Sequence, residues 1–147
     1  MKKLGMFEEY RKTGVVKRIS VNTQRAKSLV EESERKKNSL QNMLEKLGVT
    51  NENANDYVEY CYDIMMHLVR AKMNLDGYSA SGQRAHEAEV SYMRVLGFDE
   101  KDIEFADKLR YFRNGILYYG TALDKEYAEK VIVFTKKIYP KLKEIFK

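Results

Sequence analysis

The chain has 147 residues, 44% hydrophobic and 33% charged, with a formal net charge of +5. That length makes one ordinary domain with enough apolar material for its own core. A single cysteine, Cys61, excludes an internal disulfide and a cysteine zinc site, and the apolar runs are far too short for a membrane span.

Sparse glycine and one proline, Pro140, favour long helices over many short strands. Residues 1–19 read as a loosely attached N-terminal segment: Leu4, Phe7 and Tyr10 suit one or two amphipathic turns, and Gly14 before Val15 and Val16 breaks them. The first long helix should start near Ser20 or Asn22, both good N-cap types, and stop at Gly48. Val21, Ala26, Leu29, Val30, Leu40, Met43, Leu44 and Leu47 mark its apolar face. Glu31 to Ser39 holds no apolar residue, so the helix is either exposed at its centre or interrupted there.

The second helix should run from about Asn53 to Leu75, with Val58, Cys61, Ile64, Met65, Leu68 and Ala71 recurring at threes and fours. Gly77 to Gly82 reads as a loop. A shorter third helix, about Gln83 to Leu96, turns Ala85, Ala88, Tyr92 and Val95 inward. Asp99 should cap the fourth, whose stripe Phe105, Leu109, Phe112, Ile116, Tyr119 steps by four and three up to Gly120. The fifth starts near Asp124, and Pro140 should kink it or loosen its last turn. Short connections make such helices antiparallel. The expected fold is therefore all-α: an antiparallel bundle of four long helices and one short one, in a single domain spanning 1–147.

Basic residues gather at both ends: Lys2, Lys3, Arg11, Lys12, Lys17 and Arg18, then Lys136, Lys137, Lys141, Lys143 and Lys147, while 51–107 is acidic. The ends could join in a patch that attracts phosphates, or merely solvate helix termini. No secretory leader or lipidation signal is read, and the lone thiol suits a reducing cytoplasm, so a cytoplasmic location without membrane association is expected.

The segment Asp107 to Gly120, DKLRYFRNGILYYG, concentrates the candidate chemistry. Arg110 and Arg113 are three apart and share a helix face beside the apolar stripe. Asn114 follows, and Gly115 leaves bare backbone next to it. Such an arginine can offer five donors to a phosphate or carboxylate, or it can make an ordinary ion pair. Tyr118 and Tyr119 either pack with a polar tip or contact a ligand. His67 reads as a boundary histidine; Asp63, four residues before it, could pair with it, and two such groups make no metal site. His86 opens the third helix, followed by Glu87 and Glu89 on different faces. No phosphate-cradling loop or nucleophile elbow is present, and no metal or cofactor is expected.

Arg113-Asn114 and its surroundings resemble the signature of HEPN domains, small helical bundles that bind nucleotides and often cut RNA. In that signature an arginine, commonly followed by a polar residue such as asparagine, precedes a histidine. Here the histidine's place falls on Tyr118, Tyr119 or Gly120. The likeness extends as architecture over roughly residues 22–146, including the loop and helix from Leu75 to Val95. It implies an RNA or nucleotide ligand held by Arg113, Asn114, Arg110, Tyr118 and Tyr119, and a homodimer with its site at the two-fold interface. It also implies that cutting is lost or inefficient, because tyrosine is a poor base at neutral pH. His86, the one candidate catalytic residue, would have to replace the missing histidine in a metal-independent ribonuclease. A third implication is an interaction module of the toxin–antitoxin kind, partnered by a small nucleotidyltransferase.

Overall fold

The computed structural model describes residues 2–147. Among them lie helices α1 (Phe7–Lys12), α2 (Thr23–Leu47), α3 (Ala54–Leu75), α4 (Ala85–Val95), α5 (Glu100–Tyr119) and α6 (Lys125–Glu144), with two short strands, β1 (Val16–Arg18) and β2 (Tyr78–Ala80). The fold is an all-α bundle. α3 is its axis: it packs against α2, α4, α5, α6 and β2. Tyr57, Val58, Cys61, Tyr62, Ile64, Met65, Met66, Leu68 and Val69 of α3 are fully buried, so apolar side chains point outward from it in nearly every direction. A helix apolar all round belongs at the centre of a bundle.

Caps set the long helices. Asn22 Oδ1 accepts the Arg25 N–H at 2.9 Å, Asp99 Oδ1 the Asp102 N–H at 3.0 Å, and Asp124 Oδ1 the Tyr127 N–H at 2.8 Å. Asn22→Ala should lower unfolding stability by about 1 kcal/mol in a urea titration. A change below a few tenths would mean that the cap contributes nothing. Gly48, at φ 62°, closes α2 as expected. α2 is continuous through Glu31–Ser39 because Ser33 turns inward, fully buried, and donates its hydroxyl to the Ile64 carbonyl at 2.6 Å. α6 runs through Pro140 to Glu144.

Two expectations need correction. The segment expected to be loose is docked over its described residues, 2–19: Leu4, Phe7, Tyr10 and Val16 are buried. The Phe7 ring packs edge-on against Tyr92 and Tyr78, with centroids 4.7 and 5.3 Å apart. The loop expected after Gly77 holds a strand. β1 pairs antiparallel with β2 in the register Val16↔Ala80, Lys17↔Ser79, Arg18↔Tyr78. Pairs from Ile19 N–H to Gly77 O and Ser81 N–H to Val15 O extend it. Three residues are too few to show alternation, and the β-branched Val15-Val16 pair was the only local sign.

The stripe of α5 also leaves the core earlier than its spacing implies. Leu109 is buried, Phe112 and Ile116 are half-buried, and Tyr119 is 85% exposed. Past Ile116 the last residues of the helix are exposed.

Candidate functional site

Where α3, α4 and α5 meet, charged side chains surround the buried ring of Tyr62. Arg113 comes from α5. Its guanidinium carbon lies 5.1 Å from the Tyr62 ring centroid, in cation–π range. Its terminal nitrogen approaches Asp63 of α3 at 3.5 Å, an ion pair too long and misaligned to be a hydrogen bond. The same carboxylate also lies 4.0 Å from Lys36 of α2, so one acid serves two bases. Arg113 Nε is fully buried with no hydrogen-bond partner, and the side chain is 18% exposed. The guanidinium is therefore fixed in place, incompletely neutralised and short of acceptors.

The other predicted residues divide. Arg110 is buried and locked by its Nε to Asp107 at 2.8 Å, so it braces α5 and is not free to meet a ligand. Its three-residue spacing from Arg113 placed it on a shared face, but the intrahelical carboxylate behind it takes the charge. Asn114 is half-buried beside Arg113. Gly115 is not bare: a Cβ there would lie 2.9 Å from Thr121 Oγ1, and the Thr121 N–H bonds the Gly115 carbonyl. The glycine admits the loop that follows α5. That loop is held by Asn55, which receives the Leu123 N–H and donates to the Thr121 carbonyl, and by Asn51, which receives the Lys125 N–H. Gly115→Ala should loosen this clamp, raising amide exchange at Thr121 and Leu123; unchanged protection there would show that the loop does not need the glycine. Tyr118 and Tyr119 are 74% and 85% exposed, contrary to a core-packing role.

His86, from α4, reaches the other side of Tyr62, ring centroids 6.3 Å apart and edge-on. Its Nδ1 is 2.9 Å from Glu89 Oε1, and Glu89 Oε2 accepts from Arg70 Nε at 2.7 Å. Glu89 thus lies on the face of His86, one turn on; the spacing of three in the sequence was the signal that could have found it. A carboxylate that orients one imidazole nitrogen leaves the other to exchange protons. Burial alone would raise the Glu89 carboxyl; the His86 hydrogen bond and the Arg70 guanidinium outweigh it and hold it below its ordinary range. For Tyr62, burial and then the Glu89 carboxylate push the phenol far up, so its hydroxyl stays a donor, and it has no partner. Two buried donors in one cluster, Tyr62 O–H and Arg113 Nε–H, lack acceptors.

The remaining candidates are structural. His67 Nδ1 contacts the Asp63 backbone carbonyl at 2.6 Å, not its carboxylate, and burial lowers its pKa. Cys61 is buried, its thiol pushed up to about 11 by desolvation. The basic ends find carboxylates around the α4–α5 turn: Lys137 bonds Asp102 at 2.8 Å, and Arg94 bonds Glu100 beside Lys3. Among the described residues no group of three or more metal-ligating side chains forms, and no helix is long and apolar enough to cross a membrane. Lys36, Tyr62, Arg70 and Glu89 belong to the site although no local pattern marked them.

No family model matches the chain, and no curated protein or solved structure matches it.

Proposed function

We propose that the protein is a HEPN-like domain that binds RNA or a nucleotide, with Arg113 as the phosphate contact. The carrying observation is the state of that guanidinium: held over Tyr62, without a hydrogen bond, and sharing one carboxylate with Lys36. A fixed arginine with free donors suits a phosphate, and binding there costs little side-chain ordering. Asn114 shares a helix face with Tyr118, and the exposed Tyr118 and Tyr119 rings beyond it suit stacking on bases.

The test is Arg113→Ala against a panel of labelled single-stranded RNAs and nucleotides. Binding should weaken at least roughly tenfold, and the salt slope should fall by about one. Equal binding by both proteins, or none by either, would remove the proposal. Tyr118→Ala should cost about 1–3 kcal/mol of RNA affinity if a base stacks there, and a nucleotide-only ligand would not feel it equally. Where metal-independent cleavage accompanies binding, it should run through the His86–Glu89 pair and vanish in His86→Ala.

A second reading rests on the exposed Tyr111, Leu117, Tyr118 and Tyr119, which gather four large hydrophobics on the outer half of α5. Such a patch suits a protein interface, whether a second copy of this chain or a nucleotidyltransferase partner. Sedimentation of the purified chain and pull-down with such a partner separate the two. A monomer that captures no transferase would leave the patch to RNA.

A further inference from the structure

Glu89 and Arg70 also line a concavity of about 260 Å³, together with residues from the start of α2, strand β2 and the C-terminal part of α3. Its polar lining is rich in donors. Arg25 is exposed at the rim and makes no ion pair among the described residues. Arg70 spends Nε on Glu89; one terminal nitrogen lies 3.5 Å from His86 Nδ1, which is turned to Glu89, and the other is unengaged. Asn74 is 5% exposed; its Oδ1 accepts the Asn22 N–H at 3.0 Å, and its amide nitrogen bonds no described residue. Ser20 and Ser79 add hydroxyls. Acceptors are scarce, because both oxygens of Glu89, the one acid in the lining, are already taken by His86 and Arg70. The rest of the lining is largely apolar: Ile19, Leu29, Met73, Tyr78 and Ala80.

The geometry points to a binding site for a small phosphate monoester that carries a compact apolar body. The phosphate would meet Arg25, the Asn74 amide and the free edge of Arg70, beside a carboxylate that is already satisfied. A flat ring would lie against the apolar part of the lining, which includes the half-buried Leu29. A few convergent polar groups set in an otherwise apolar concavity are the usual form of small-ligand sites. Arg70 was buried to hold Glu89, so its second edge is rigid and loses little freedom on binding. This site shares Arg70 and Glu89 with the cluster around Tyr62 but is not lined by Arg113, and it does not rest on the RNA reading.

The experiment is a two-dimensional amide NMR titration of the full chain with phenyl phosphate, with phenol and inorganic phosphate as separate arms. Phenyl phosphate should give saturable shifts at the Asn74 side-chain amide and at the Ser79 and Ala80 backbone amides. Arg25→Ala, an exposed change that leaves the fold intact, should weaken them by about tenfold. Arg113→Ala should leave them unaltered. Inorganic phosphate should bind the same residues more weakly, and phenol not at all. The site is refuted if those three amides do not respond, if Arg25→Ala binds as well as the parent, or if the shifts centre on Arg113. Phenol or inorganic phosphate equalling phenyl phosphate would refute the two-part ligand.

Discussion

Leu68→Ala should be the most damaging single truncation in this protein, lowering stability by about 2–5 kcal/mol. Leu68 is fully buried on α3, the helix that every other long helix touches. Its removal opens a cavity between helices that are anchored by their own contacts and cannot easily close on it, which is what drives such losses to the upper end. Urea unfolding followed by circular dichroism should show the midpoint fall with little change in slope, since the surface exposed on unfolding hardly alters. Leu117→Ala is the matched control: Leu117 is 49% exposed near the C-terminal end of α5, and its loss should stay within about 0.5 kcal/mol. If Leu68→Ala cost no more than Leu117→Ala, α3 would not be the axis described above.

The same contrast explains what could be read in the sequence. Asn22, Asp99 and Asp124 announce helix starts because capping is a local hydrogen bond between a side chain and a backbone N–H three residues on. Gly48 and Gly120 announce stops, both at positive φ. α3 is legible because a buried axis needs apolar side chains on almost every face. What was lost is whatever depends on distant partners. Val16 of β1 pairs with Ala80 of β2, 64 positions further along the chain, and each strand is too short to show a period. The burial of Phe7 and Tyr10 depends on Tyr78, Tyr92 and Arg84, which come from elements far along the chain. In the candidate site, Arg113 was legible by type and its freedom was not, because Asp63 and Tyr62 come from another helix. Arg110 looked equivalent in the sequence, yet Asp107 on its own helix neutralises it. Gly115 looked like an opening, and Thr121 fills it.

Glu89→Ala should cost about 2–3 kcal/mol, below the full penalty for breaking a buried ion pair because the Arg70 side chain keeps a quarter of its surface in solvent. The loss comes from what is stranded: Arg70, left half-buried without its acid, and His86, left without the group that orients it. Glu89→Gln keeps the shape and one acceptor and should cost less. Replacing both members, Arg70→Met with Glu89→Leu, should recover much of the single-variant loss, because the stranded charge is gone. Recovery would show that the pair is kept for the site and not for stability. The pH dependence follows from the depressed Glu89 carboxyl. Its contribution is fully present above the unfolded-state pKa of about 4.3 and is lost as pH falls through the lower folded-state value. The gap in stability between the parent and Glu89→Gln should therefore hold steady at neutral pH and close in acid below about 4. A gap that stayed constant down to pH 2 would mean that the carboxyl titrates alike in the folded and unfolded chains, so that neither Arg70 nor His86 holds it ionised, and the oriented imidazole would lose its basis.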